Sequence, residues 1–408
     1  MRGIGIGIAT VALTALAWCG CSLLTPKDLP PVDPDQLRSV ADAEQRLALQ
    51  LLARLRTTRP DANVLVGPDS ILSAMTLAAS GAAGETRAQL LGALGFDPTR
   101  DAPLEAVAAL QRQVAAAADS VDLSVVHRLW IDASQHVTET WAQRVDGSFE
   151  HAFETVDFKH APDDARDEIN EFVADSTDDK ITDVMPPGSI DSLTRLVITN
   201  ATWFKGSWSH PFERDLTRPA PFTKQDRSTI DVPMMSMEAT VGFAKTEDMV
   251  AVELPYEGDA LSMLILVPRD IDALDAWPAD VFGRTVAQLR QQEVQVVLPR
   301  FSFRGAYALV DAFAELGVVD AFDRSRADFS PIDGTRGLFV AGIYHQTFVV
   351  VDEEGTEAAA ATGATLAWKV APMDPPVFRA DRPFVFAIRH RASGAVLFAG
   401  VVLDPSKS

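Results

Sequence analysis

The chain has 408 residues, 47% hydrophobic and 23% charged, the composition of a folded protein with a large core rather than of a disordered one. A formal net charge of −21 opposes nucleic acid and anionic lipid as partners, because both require a basic field. Both cysteines, Cys19 and Cys21, lie near the N-terminus, which leaves the body without a thiol for a disulfide, a zinc site or a cysteine nucleophile.

Met1 and Arg2 precede GIGIGIATVALTALAW, an apolar run of sixteen residues that is short for a membrane span and fits the core of a signal peptide. Its alternating glycines do not make a dinucleotide fingerprint, since no strand precedes them and no acidic ribose partner follows. AWCGCS resembles a bacterial lipoprotein processing site, with Gly20 ahead of Cys21. Residues 1–20 are thus expected to be a signal peptide and Cys21 the lipid attachment site, with Cys19 or plain secretion as the alternatives. The proline-rich, acidic residues 21–36 then read as an extended tether, about 40 Å long at ~3 Å per residue. The expected location is exported, in the cell envelope or outside the cell, with the lipid as the only membrane contact.

From Gln36 to Arg56, apolar residues recur at helical spacing. NVLV at 63–66 reads as a strand, and PDSILSAMTLAAS as a helix that breaks near Gly81–Gly84 before a further helical stretch. LSVVHRLWI, from Leu123, is a strand, followed by helices around Glu139–Ala152 and Ala165–Ala174. LVITNATWFKG, from Leu196, is a strong strand, and IDVPMMSM, TVGFAKT, MVAVELPY and ALSMLILVPR alternate as further strands between turns. VQVVLPRFSFRG reads as one more strand, YALVDAFAELGV as a helix, FVVVDEEG as a strand, and the segment from Phe384 to Leu403 as a hairpin around Ala392–Gly394. Helices early, strands late and no βαβ alternation predict an α+β fold in a single domain over 37–408.

Enzyme signatures are missing. None of the seven histidines forms HExxH or a metal-ligand pair, no GxSxG elbow exists, and no GxxxxGK[ST] loop is present. No metal and no cofactor are therefore expected. Asn200, in the apolar strand from Leu196, needs hydrogen-bond partners inside the core, whose loss would cost about 1–3 kcal/mol.

Several ordered segments carry a family resemblance. NVLVGPDSILSAMTLAASGAAGETRAQL, LVITNATWFKGSWSHPFERDLTRPAPF, VPMMSM, ELPY, the stretch LPRFSFRGAYAL and DRPFVFAIRHRASGAVLFAGVV follow one another as in a serpin, from about residue 37 to Pro405. The resemblance implies three β-sheets, about nine helices and an exposed reactive loop at about 355–380. It also implies a suicide-substrate inhibitor of a serine protease, acting as a monomer, whose cleaved loop enters the central sheet while the protease is still attached as an acyl-enzyme.

By that resemblance Gly355, Thr356, Glu357, Ala358, Ala359, Ala360, Ala361 and Thr362 form the loop hinge. In a strand, Thr356, Ala358, Ala360 and Thr362 share one face, small and uncharged, while Glu357 lies on the other. A loop of the family's usual length puts cleavage fourteen residues beyond Gly355, between Lys369 and Val370, and lysine there suits a trypsin-like protease. A register at Trp368 would suit a chymotrypsin-like target, and one at Leu366 or Ala367 an elastase or subtilisin type. Ser70, Asn200 and His345 match a polar cluster beneath the opening sheet, where Gly67 stands in place of the usual serine. Trp208 matches the point where insertion starts, and Arg300 and Glu353 are expected to pair at that gate. A noninhibitory serpin acting as a binding module is the alternative; such members tend to carry bulky, charged or proline residues in the hinge.

Overall fold

The computed structural model describes residues 32–118, 120–149, 151–355 and 375–407. The expected signal peptide, Cys21, the hinge residues Thr356–Thr362, and Lys369 and Val370 lie outside these residues.

The first helix, α1 (Pro34–Thr58), starts inside the segment expected as tether. Asp33 caps it by accepting a hydrogen bond from the backbone N–H of Asp35 at 2.9 Å, and Pro34 opens the first turn, where its missing N–H costs nothing. Residues 34–36, included in the expected tether, are helical. A stripe of Val40, Leu47, Leu51 and Leu55 turns inward. After β1 (Val64–Val66), α2 (Pro68–Ser80) is buried along its whole length, with α3 (Gly84–Leu94) and α4 (Leu104–Ala117) packed near it.

Next come β2 (Val121–Asp132), α5 (Glu139–Asp146), β3 (Phe153–Val156), α6 (Pro162–Ser176) and β4 (Leu196–Gly206). α5 is shorter than the expected Glu139–Ala152; it stops before Gly147, a poor helix former. Strands β5 (Arg218–Thr223), β6 (Thr229–Lys245), β7 (Met249–Pro255) and β8 (Leu261–Pro268) follow, then α7 (Val281–Gln288). IDVPMMSM and TVGFAKT, expected as two strands, are both parts of β6. VQVVLPRFSFRG instead divides at Arg300 into β9 (Arg290–Pro299) and β10 (Phe301–Ala308). The helix expected from Tyr307 starts only at α8 (Val310–Glu315), because Tyr307 and Ala308 are still paired in β10. The chain finishes with α9 (Ser330–Asp333), β11 (Val340–Val351), β12 (Val377–Arg379), β13 (Phe384–His390) and β14 (Val396–Val402).

Two hydrogen-bonded networks result. A five-stranded sheet has the order β10-β11-β4-β2-β3; a nine-stranded one runs β1-β14-β13-β8-β7-β6-β9-β12, with β5 on the side of β6. β6 pairs with β5 at its start, with β9 through its middle and with β7 only over Gly242–Lys245. The larger network thus joins two sets of strands through β6, and the expected three sheets form two networks. The described residues hold nine α-helices. The fold is α+β, as composition and order predicted.

The five-stranded sheet is covered on both faces. On one side α6 packs Ile169 and Val173 against Trp130, Val197 and Ala201. On the other, the start of α2 reaches the sheet directly, as Gly67 N–H donates to His345 and the Ser70 hydroxyl donates to Val126 O.

Candidate functional site

The middle of the five-stranded sheet is a parallel pair. β4 and β11 lie side by side from Val197 opposite Gly342 to Phe204 opposite Val349, while every other partner of these two strands is antiparallel. Parallel pairing is slightly the weaker kind per residue. Alternation along each strand sends Asn200, Thr202, His345 and Thr347 toward α2 and β1, and Thr199, Ala201, Trp203 and Phe348 toward the face that α6 covers. On that second face Trp203 and Phe348, direct neighbours in register, hold their rings 4.8 Å apart across the seam.

A polar row crosses the first face. His127 on β2, Asn200 on β4 and His345 on β11 stand opposite one another on three neighbouring strands. His345 Nε2 accepts from Gly67 N–H at 2.9 Å, so Nδ1 carries the proton and donates to Asn200 Oδ1. Burial pushes the imidazole pKa down to about 3, which keeps it neutral. Thr347 completes the contact to β1 by donating to Leu65 O at 3.2 Å. Among the described residues Asn200 Nδ2 and Thr202 Oγ1, both buried, have no hydrogen-bond partner. The seam is therefore polar, parallel and incompletely satisfied.

Above it, β11 leaves the sheet at Val351 and is held by the segment that follows β4. Trp208 donates twice, from Nε1 to Asp352 O at 2.9 Å and from its backbone N–H to Glu354 O at 3.1 Å, and Phe212 N–H donates to Glu353 O at 2.8 Å. Trp208 is itself fixed by stacking on Tyr256, with centroids 4.5 Å apart and planes 12° from parallel. The Glu353 carboxylate is buried; it pairs with the Arg300 guanidinium and accepts from the Thr217 hydroxyl at 2.7 Å. Burial alone would raise its pKa, but these two partners outweigh burial and hold it below the usual value. Arg214 pairs with Glu354 beside it. Gly355 then turns with φ +74°, and a Cβ there would collide with Gly206 O and the Trp208 N. Only glycine suits a backbone packed this closely in the left-handed region.

Of the residues singled out from sequence, the structure brings Asn200 and His345 into one hydrogen bond and Arg300 and Glu353 into one ion pair. It sets Trp208 and Gly355 against each other. Ser70 lies near this cluster, with its hydroxyl bonded to Val126 O rather than to Asn200 or His345. A Cβ on Gly67 would sit 2.8 Å from Thr202 Oγ1, so the room that a serine at position 67 would need is already taken. Thr217 and Tyr256 were not foreseen; each meets its partner across a long stretch of chain, and no local pattern marks either. Among the described residues no group of three or more His, Cys, Asp or Glu side chains could hold a metal ion.

Such an arrangement can do one thing chemically simple. A chain that reverses after Gly355 runs antiparallel to β11 and, because β4 is parallel to β11, antiparallel to β4 as well. Entering between them, it would exchange one parallel pairing for two antiparallel ones.

The fold has counterparts in known proteins. A profile of the family described as "Serpin (serine protease inhibitor)" matches residues 42–405. A leukocyte elastase inhibitor of Equus caballus is 35% identical over 381 residues, covering 90% of this chain and 100% of the relative. Serpin B9 of Homo sapiens is 33% identical over 377 residues, with the same coverage of both chains. The crystal structure of native protease nexin-1 with heparin matches with a TM-score of 0.81 at 27% identity, over 90% of this chain and 100% of that one.

Proposed function

The chain belongs to the serpin family of protease inhibitors, and from that premise we propose that it is a suicide-substrate inhibitor of a serine endopeptidase rather than a catalyst. A target protease cleaves the loop beyond Gly355, and the freed strand enters between β4 and β11 before deacylation. One observation carries this reading: β11 runs directly into the Gly355 turn beside a parallel, polar seam. About fourteen inserted residues at ~3.3 Å each move the tethered protease on the order of 45 Å. If each gains a net ~0.5–1.5 kcal/mol of hydrogen bonding, roughly 10 kcal/mol is available to distort the protease. Removing a single oxyanion donor slows acyl chemistry by about 10²–10³, so a modest distortion stalls turnover.

The small, uncharged face of Thr356, Ala358, Ala360 and Thr362 favours insertion over a noninhibitory binding role. Lys369 at the reactive bond favours a trypsin-like target. The names of the leukocyte elastase inhibitors favour a second reading, an elastase-type target cut after Leu366 or Ala367. The N-terminal segment supports export, with a lipid on Cys21 and the domain held off the membrane by the proline-rich tether.

Incubation of the purified protein with trypsin, chymotrypsin, elastase and subtilisin tests all of this. The expected result is an SDS-stable complex with trypsin and a released C-terminal peptide that starts at Val370. A peptide starting at Ala367 or Trp368 would move the register to the elastase reading. Clean cleavage by every protease with no complex would exclude the inhibitory mechanism.

A further inference from the structure

Loop insertion makes no use of Glu44 on α1 or Asp69 in the first turn of α2, yet both are buried, at 1% and 2% exposure. Their carboxyl groups lie within hydrogen-bonding reach of each other. Outside the pair, Val396 N–H at the start of β14 donates to Glu44 Oε2 at 2.9 Å, and Gln111 from α4 donates to Asp69 Oδ2 at 3.4 Å. Glu44 Oε1 and Asp69 Oδ1 have no hydrogen-bond partner among the described residues.

Among the described residues no cation compensates the pair. Arg46 of α1 bonds Gly95 O, and Arg112 of α4 bonds Ser148 O. On β13, beside β14, Arg389 pairs with Glu253 and His390 with Ser393. On β2, Arg128 bonds His151 O and lies over Phe172. Two buried carboxyl groups in each other's field cannot both ionise cheaply, and they behave as one unit that holds a proton.

The position of this pair matters because the same turn of α2 clamps the sheet. Two residues before Asp69, Gly67 N–H donates to His345 on β11; one residue after it, Ser70 donates to Val126 O on β2. These contacts reach strands on both sides of β4, the strand from which β11 must part. We propose that Glu44 and Asp69 share one proton, and that this proton is a latch on sheet opening. Held, it ties α1 to the first turn of α2 and keeps the clamp closed. Lost, it sets two carboxylates against each other, loosens that turn and eases the parting of β4 from β11. The latch rests on the insertion mechanism proposed above.

The electrostatics give the direction. Burial first, and then the Asp69 charge, raise Glu44 well above the usual carboxylate range, and burial pushes Asp69 up to about 6. The folded protein therefore binds the proton more tightly than the unfolded chain does. Its contribution to stability is complete in acid, declines as pH rises past the ordinary carboxylate range, and is fully lost only when Glu44, the more strongly raised of the two, ionises.

The test follows the rate at which the full-length protein, warmed below its unfolding transition, converts to a heat-stable form between pH 6 and pH 9. It is run on the wild type, Glu44→Gln and Asp69→Asn, each also after cutting the loop with subtilisin. The wild-type rate should rise about tenfold over this range, the factor that one pKa unit of differential proton binding supplies. Both near-isosteric variants should be nearly flat. Equal pH slopes in all three proteins would overturn the latch and leave insertion standing. If cut wild type gains no heat stability at any pH, insertion fails and the latch with it. Should one variant not fold, the urea midpoint of the wild type relative to the other variant decides: it should fall from pH 6.5 to pH 9, and a constant or rising difference overturns the latch.

Discussion

The seam between β4 and β11 and the block formed by β8, β13 and β14 are both central, buried sheet, yet they are built from opposite materials. β14 and most of β8 and β13 present Val, Leu, Ile, Phe, Met and Ala, all buried, in antiparallel register. Phe384 and Phe386 also pack on Phe301 across the layers, with centroids 5.8 and 5.5 Å apart. The seam is parallel and places Asn200, Thr202, His345 and Thr347 in its interior. Opening an apolar block forfeits ~25 cal/mol for each Å² uncovered, with no return until it closes. Opening a polar seam releases groups that an incoming backbone can satisfy. Under the proposed mechanism, that polarity suits the seam between β4 and β11 to parting.

The largest expected effect comes from spoiling the strand that would enter the seam. Thr356→Arg puts bulk and charge on the face that must pass toward α2, where no carboxylate waits among the residues of the row. The protein should fold as before, since the body is untouched, while the SDS-stable complex disappears and the loop is cut as a plain substrate. Gel analysis of the variant with trypsin reads both outcomes. A complex formed at the wild-type yield would mean that the seam does not receive this face.

Titrating the seam should separate it from the apolar block. His345 is neutral in the fold, its pKa depressed to about 3 by burial, whereas in the unfolded chain it protonates near 6.5. The unfolded state therefore takes up the extra proton as pH falls, and stability drains below pH 6.5 by about 1.4 kcal/mol per unit. Other groups titrate in the same range, so the informative quantity is a difference. Measured by urea unfolding, the wild type should lose about 3 kcal/mol relative to His345→Gln between pH 6.5 and pH 4. Parallel curves would show that the imidazole is not held neutral at the seam.

Asn200→Ala should act at the same place with a smaller effect. It leaves His345 Nδ1–H without its acceptor inside the sheet, at a cost of about 1–3 kcal/mol. An Ile265→Val change in the middle of β8 would cost a similar ~0.5–1.5 kcal/mol. The two differ in consequence. Only the first should speed conversion to the heat-stable, inserted form, because only it weakens the closed seam. Equal conversion rates in both variants would erase the distinction between the two regions.

Much of this was legible in the sequence, for reasons particular residues make clear. LVITNATWFKG gives β4 with the bounds expected of it, because the strand formers Val197, Ile198, Thr199, Thr202, Trp203 and Phe204 outweigh Asn200 and Ala201 between them. The hinge was not legible by composition, since TEAAAA alone reads as a linker or a short helix; it rests on the resemblance of the flanking segments, and Thr356–Thr362 lie outside the described residues. What stayed hidden was long-range. That β4 pairs in parallel with β11, about 145 residues later, leaves no local mark, and neither does the meeting of Thr217 with Glu353 or of Tyr256 with Trp208. Tyr307 was read as helical because its neighbours suit a helix; pairing with His345 overrides that propensity. Glu44 and Asp69 each look like ordinary surface carboxylates until packing brings α1 and α2 together.

The smallest effect tests how the seam was fitted to its own departure from the family. Gly67 has no side chain, and Thr202 occupies the room that a serine Cβ would need, 2.8 Å from its Oγ1. Gly67→Ser alone should therefore crowd a β-branched residue fixed in a sheet, at a cost of about 1 kcal/mol. Thr202→Ala alone removes a buried hydroxyl that has no partner, so it should be close to neutral. Combined, the two changes should recover most of the loss, a coupling that a double-mutant cycle in urea detects above an uncertainty of ~0.5 kcal/mol. Additive effects would mean that Thr202 moves aside freely, and the departure at Gly67 would then call for a cause other than packing. Coupling without any change in conversion to the heat-stable form would confine the pair to packing and leave control of opening to the His345 and Asn200 hydrogen bond.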